Sequence, residues 1–182
     1  VYGVDVSDEA LRKAIEKHNE LCRVVTEIGN YRKLPNPPLT GYEFHLIELV
    51  SECCPHDLIM PYLKETLEEL KTRVADEKPW YRVRVVLAGG ENDDPYFTKL
   101  IEDCGAFVVA DRYCFGSLPG REEIEIRDGE TAMNAIARHY IETNECPRFM
   151  NPEKVHGRKQ YFKQLAEDYN ADGLIVQQMK FC

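Results

Sequence analysis

The sequence contains no CxxC pair, no GxxxxGK[ST] loop, no GxGxxG turn and no HExxH. Each absence removes a class of function. Without paired cysteines a zinc ribbon or ferredoxin-type site cannot be assembled locally. Without either glycine fingerprint the chain is not expected to bind ATP or a dinucleotide itself. A bilayer-crossing helix needs roughly 20 consecutive apolar residues, and no run approaches that length. The first residues, VYGVDVSDEALRK, have neither the charged nor the apolar region of a secretory signal. They begin with Val, so an excised or processed piece of a longer protein is expected. Positive charge is also scarce: 23 Lys and Arg face 32 Asp and Glu, for a net charge of −9. An acidic average repels phosphate backbones, which disfavours nucleic acid as a partner. A few local basic groups would still suffice for a small anionic ligand.

What is present suits one folded domain with additional helix: 182 residues, 43% of them apolar. Seven cysteines, an odd count with no secretory signal, point to reduced thiols and a cytoplasmic setting. Most single cysteines are small core hydrophobes. Cys22, on an apolar helical stripe, and Cys104, one residue before a glycine, read that way. Cys53 and Cys54 are adjacent on a helix, where neighbouring side chains diverge, so they read as packing residues. Cys146 lies in a proline-flanked loop and stays undecided. His18, His45, His56, His139 and His156 form no ligand set or triad order.

The first ~75 residues carry helical periodicity. One helix is expected over 7–32 with Ser7 as N-cap, and a second from Thr40, where Thr40 and Glu43 have capping-box spacing. A third follows from about Asp57 to Val74. The grammar changes at Trp80. RVRVVLA (82–88) reads as a buried strand closed by Gly89-Gly90, and PYFTKLIEDCG as a helix ending at Gly105. AFVVAD (106–111) is a second strand. Helices are expected over 130–142 and 157–169, and an apolar strand opens at 173. This order implies a parallel sheet with right-handed crossovers: a three-layer flavodoxin-like or Rossmann-like α/β fold. The domain organisation expected is a helical extension over 1–79 and the sheet domain over 80–182.

Open parallel sheets bind ligands beyond the carboxyl ends of their strands. Those ends carry Gly89-Gly90-Glu91-Asn92, then Asp111-Arg112-Tyr113-Cys114-Phe115-Gly116-Ser117, then Met179-Lys180-Phe181-Cys182. Cys182 follows a strand and neighbours Lys180, where a cation favours a thiolate, though it could equally continue the strand into the core. Cys114 is a candidate ligand contact or a buried loop anchor, and Gly116 lets the backbone fold tightly there. Gly89-Gly90 alone is too short to signal a phosphate site.

The ordered set ADRYCFGSLPG, RHY…ECPRFM and GLIVQQMKFC resembles the D-component family. That family comprises the subunits of 2-hydroxyacyl-CoA dehydratases and ATP-dependent benzoyl-CoA reductases. VSDEALRKAIEKHNE, PNPPLTGYE and RVRVVLAGG fit in the family's order, so the likeness covers essentially the whole chain. The resemblance implies subunits about twice this length, built around a [4Fe–4S] cluster held by three cysteines. Cys182 matches one ligand position; the others would come mainly from an N-terminal domain that these residues do not include. Asp111, Arg112, Cys114, Gly116 and Ser117 would line the substrate site. Implied partners are a CoA thioester, a second homologous subunit and a separate ATP-hydrolysing activator. FGSLPG resembles the benzoyl-CoA reductase side more than the dehydratases. On this reading the 182 residues alone, with an incomplete ligand set, would be folded but inactive. Two other readings are a double-cubane-type reductase of small molecules and a receiver-like or corrinoid-carrier module. The Lys-Phe-Cys ending of the third strand disfavours the last of these.

Overall fold

The computed structural model of the protein describes residues 2–78, 80–117, 121–143, 146 and 151–180. The chain opens with α1 (Asp8–Asn30), whose N-terminus Ser7 caps by accepting from the Ala10 amide. A 3₁₀ turn (Tyr31–Lys33) leads to α2 (Gly41–Cys53), which begins with a complete Thr40–Glu43 capping box. Helix α3 (His56–Leu70) stops four residues before Val74, which is therefore off the apolar stripe and 87% exposed. Val25, Ile28, Phe44, Met60, Leu63 and Leu67 form one core among these three helices.

The sheet is three-stranded and parallel: β1 (Val83–Gly89), β2 (Ala106–Arg112) and β3 (Gly173–Gln177), in spatial order β2-β1-β3. Between β1 and β2 runs α4 (Pro95–Asp103), and between β2 and β3 run α5 (Ala132–Glu142) and α6 (Pro152–Asp168). Val85, Leu87 and Val108 face Phe97 and Ile101 of α4. On the opposite face Arg84 reaches the Tyr169 carbonyl just beyond α6. Helices thus flank both faces, which is the three-layer α/β arrangement expected. Helix α2 leans on the same layer as α4, because the buried Glu102 carboxylate accepts from the amides of Gly41, Tyr42 and Val108. Helix α1 packs on α5 through Ile15, Ala132 and Ala135.

Two further elements differ from the sequence expectation. Helix α6 starts at Pro152, five residues earlier, because Asn151 caps it and proline at the first helical position forfeits no hydrogen bond. Strand β3 is short and largely exposed, with Val176 at 66%, so its apolar run does not mean burial. Two cysteines read as core or packing residues, Cys53 and Cys104, are exposed. Both sit at helix ends (Cys104 one residue past α4), beyond the buried stripe.

Candidate functional site

The carboxyl end of β2 is organised around one buried carboxylate. Asp111 and Arg32 are both 2% exposed and their charged atoms lie 3.2 Å apart. Asp111 also accepts from the Ser117 amide at 2.7 Å. Its turn is tight: a side chain on Gly116 would place its Cβ 2.6 Å from the Asp111 carboxylate, so the backbone closes around that group. The Ser117 hydroxyl donates to the Asp111 carbonyl. Arg112, itself buried, donates to the Ser117 carbonyl at 2.6 Å and lies over the Tyr161 ring.

A second carboxylate enters from α2. Glu48 is 2% exposed, lies 2.8 Å from Arg121 and accepts from the Tyr113 hydroxyl at 3.3 Å. Arg121 also reaches within 3.7 Å of Asp111. Two arginines and two acids therefore meet at one largely buried site, and their surroundings act on the two acids in opposite directions. Burial pushes the Asp111 carboxyl up, but Arg121, Arg32 and the Ser117 amide outweigh it and hold it below its usual range. Glu48 goes the other way: burial, then the charge of Asp111, push it well above the usual value. Burial and the same two acids keep the Tyr113 phenol protonated. The same surroundings therefore favour the carboxylate at Asp111 and the protonated acid at Glu48.

Two cavities share this wall. One, of about 220 Å³, is lined by Arg32, Asp111, Arg112, Ser117, Tyr161 and Tyr169 among others. The other, of about 350 Å³, opens between α1, α2 and α5. It presents His18, Leu21, Cys22 and Val25 from α1, Glu48, Ser51 and Glu52 from α2, Tyr140 from α5, and Gly116 and Arg121. Glu52 at its wall is raised to about 7, by burial first, with Arg121 opposing. Cys22 is raised to about 11 by burial, so its sulfur is a thiol near neutral pH.

Of the residues singled out from sequence, Asp111, Arg112 and Ser117 line the smaller cavity and Gly116 the larger. Cys114 lines neither; its amide donates to the Gly90 carbonyl and ties the end of β2 to that of β1. Cys182 lies outside the described residues, as do Leu118, Pro119 and Gly120 of FGSLPG and most of the ECPRFM segment. Among the described residues no three His, Cys, Asp or Glu side chains converge to hold a metal ion. Sequence reasoning missed Arg32, Glu48 and Arg121. Glu48 falls on the inner side of a capped helix, which was the one available signal.

Residues 1–182 match the family described as 2-hydroxyglutaryl-CoA dehydratase, D-component. A similar protein is the (R)-phenyllactyl-CoA dehydratase beta subunit of Clostridium sporogenes, 25% identical over 186 residues. That alignment takes in 100% of this chain and 47% of the relative, so the chain spans about half the relative's length. With a match along its entire length, the chain belongs to the 2-hydroxyglutaryl-CoA dehydratase D-component family.

Proposed function

We propose that these residues form the C-terminal half of a subunit of a cytoplasmic CoA-thioester enzyme, of the 2-hydroxyacyl-CoA dehydratase or benzoyl-CoA reductase type. The observation that carries this reading is the family match along all of residues 1–182. The likeness to a dehydratase beta subunit, and the coverage of only 47% of it, favour a dehydratase and a longer polypeptide with a second subunit. A separate ATP-hydrolysing activator would complete the system, in keeping with the missing nucleotide motifs here. In the full-length protein a [4Fe–4S] cluster would take Cys182 as one ligand, with the remaining cysteines outside this chain. Such a cluster supplies one-electron reducing power that ordinary acids and bases lack.

The residues at the carboxyl end of β2 have the complementary task of binding. Asp111, Arg112 and Ser117 line the smaller cavity and Gly116 the larger, with Cys114 fixing that turn to β1. In a chain of net charge −9, the cations Arg32, Arg112 and Arg121 gathered at one strand end favour an anionic or oxygen-rich ligand there. The test is iron and acid-labile sulfide in the full-length subunit prepared without oxygen. Cys182→Ala should lower both. Full retention of iron in that variant removes Cys182 from the ligand set. About eight irons per subunit in place of about four would move the protein to the double-cubane reductases.

A further inference from the structure

Three carboxyl groups lead from solvent to the end of β2. Glu52 and Glu48 are one helical turn apart on α2, and residues four apart share a helix face. Both line the larger cavity, whereas Asp111 lines the smaller one. Glu52 is open to solvent, while the side chains of Glu48 and Asp111 are each 2% exposed. The two buried side chains hydrogen-bond each other. A carboxylate only accepts, so a bond between two carboxyls needs a proton on one of them. Glu48 Oε1 has the same need. It is buried 2.8 Å from Arg121 Nη2, yet that contact is an ion pair without hydrogen-bond geometry. Carrying a proton turns this oxygen from an unsatisfied acceptor into a donor. Arg121 Nη2 also lies 3.7 Å from Asp111, so one cation stands beside whichever acid is ionised. Arg32 pairs with Asp111, and the Tyr113 hydroxyl donates to Glu48 Oε2. Across the larger cavity α1 adds His18 and Cys22, and α5 adds Tyr140; Tyr169 faces the pair from beyond α6. Burial raises Cys22, Tyr140 and Tyr169, which stay protonated near neutral pH. Glu52 differs: its carboxyl is crowded enough that burial lifts it to about 7, where it both takes and gives a proton.

We propose that Glu52, Glu48 and Asp111 form a relay that passes a proton between solvent at the larger cavity and a ligand oxygen in the smaller one. At each step an O–H bond breaks on the donor and one forms on the next oxygen. Nothing is oxidised or reduced, and for each proton taken up at Glu52 one leaves at Asp111. The larger cavity, at about 350 Å³, has room for a water to span Glu52 and Glu48. Arg32 and Arg121 keep their charge throughout and act as positioning residues. This acid–base role is independent of the thioester reading above and stands whichever molecule occupies the smaller cavity.

The experiment has two arms, both on the 182-residue chain. Carbon-13 NMR of labelled glutamate and aspartate carboxyls locates the proton. Glu48 should be protonated at neutral pH, and Glu48→Gln should shift the titration of Asp111, because interacting acids titrate as a pair. Stopped-flow infrared spectroscopy after mixing with D2O then times exchange of the Glu48 carboxyl proton, since deuteration moves its band. Glu52→Gln, a solvent-side substitution that leaves the buried pairs intact, should slow that exchange on the order of tenfold or more. Glu52→Asp should restore most of the rate. A merely structural Glu52 would move neither rate. A Glu48 carboxyl ionised at neutral pH, or an exchange rate unchanged in Glu52→Gln, overturns the relay. Should Glu48→Gln fail to fold, the wild-type Glu48 carbon and the Glu52 variants still decide.

Discussion

Replacing Arg32 by Met tests whether the buried charges at the end of β2 hold one another in place. Arg32 is 2% exposed, pairs with Asp111 at 3.2 Å and lies 3.8 Å from the Phe44 ring centroid. Removing one partner of a buried pair strands the other charge, at a cost of roughly 3–5 kcal/mol. Arg121, 3.7 Å from Asp111, retains part of the compensation. The lower end, about 3 kcal/mol, is therefore expected. Met keeps an unbranched apolar stem against Phe44, so lost packing adds little. At about 2–4 °C per kcal/mol for a chain of this size, melting should fall on the order of 6–12 °C. The double variant Arg32→Met/Asp111→Asn strands no charge and should recover at least half of that loss. Urea and thermal denaturation at pH 7 measure both. A loss below about 1 kcal/mol, within the range of ordinary substitutions, would refute the reasoning. So would a double variant no more stable than the single one.

Glu48 and Asp111 should leave opposite marks on stability against pH. The Glu48 carboxyl is raised above 4.5 in the folded state, so its contribution is complete below that value and is lost as pH rises. Glu48→Gln should therefore gain on the wild type between pH 4.5 and 8, read from urea midpoints; a difference that stays constant across that range contradicts the assignment. Asp111 is depressed below 3.8, so its contribution is present above that value and disappears as pH falls further. Gly89, at the end of β1, has φ +140 and sits so close to β3 that an added Cβ would lie 1.9 Å from the Gln177 carbonyl oxygen. Gly89→Ala should cost roughly 3 kcal/mol or more by combining backbone strain with overpacking. An unchanged melting temperature would dispute the β1–β3 register.

The parts of the fold that were readable from sequence are those decided locally. Ser7, the Thr40–Glu43 box and Gly105 at φ +94 mark helix ends through contacts within a few residues. The parallel sheet followed from two β-branched runs separated by a helical period. What stayed hidden depends on distant partners. Arg84 read as one residue of an apolar strand, yet its guanidinium bonds the carbonyls of Arg32, Leu34 and Tyr169, 52, 50 and 85 positions away in sequence. Glu48 and Asp111, 63 residues apart, meet only after α2 docks on the β2 layer. The larger cavity was invisible for a related reason: Leu21, Cys22 and Val25 have the spacing of a core stripe, and periodicity cannot distinguish a stripe facing a neighbour from one facing a hollow. The Asp111–Ser117 turn was legible as a rim, because strand ends in parallel sheets gather on one edge.

Turnover is the most direct measurement. The full-length subunit, prepared without oxygen and combined with the proposed second subunit and the proposed ATP-driven activator, is given a 2-hydroxyacyl-CoA thioester, and the product is followed by mass. The expected result is loss of one water from the thioester, requiring the activator and ATP. A fully assembled, iron-replete preparation that leaves 2-hydroxyacyl-CoA and aromatic CoA thioesters unchanged would contradict the account.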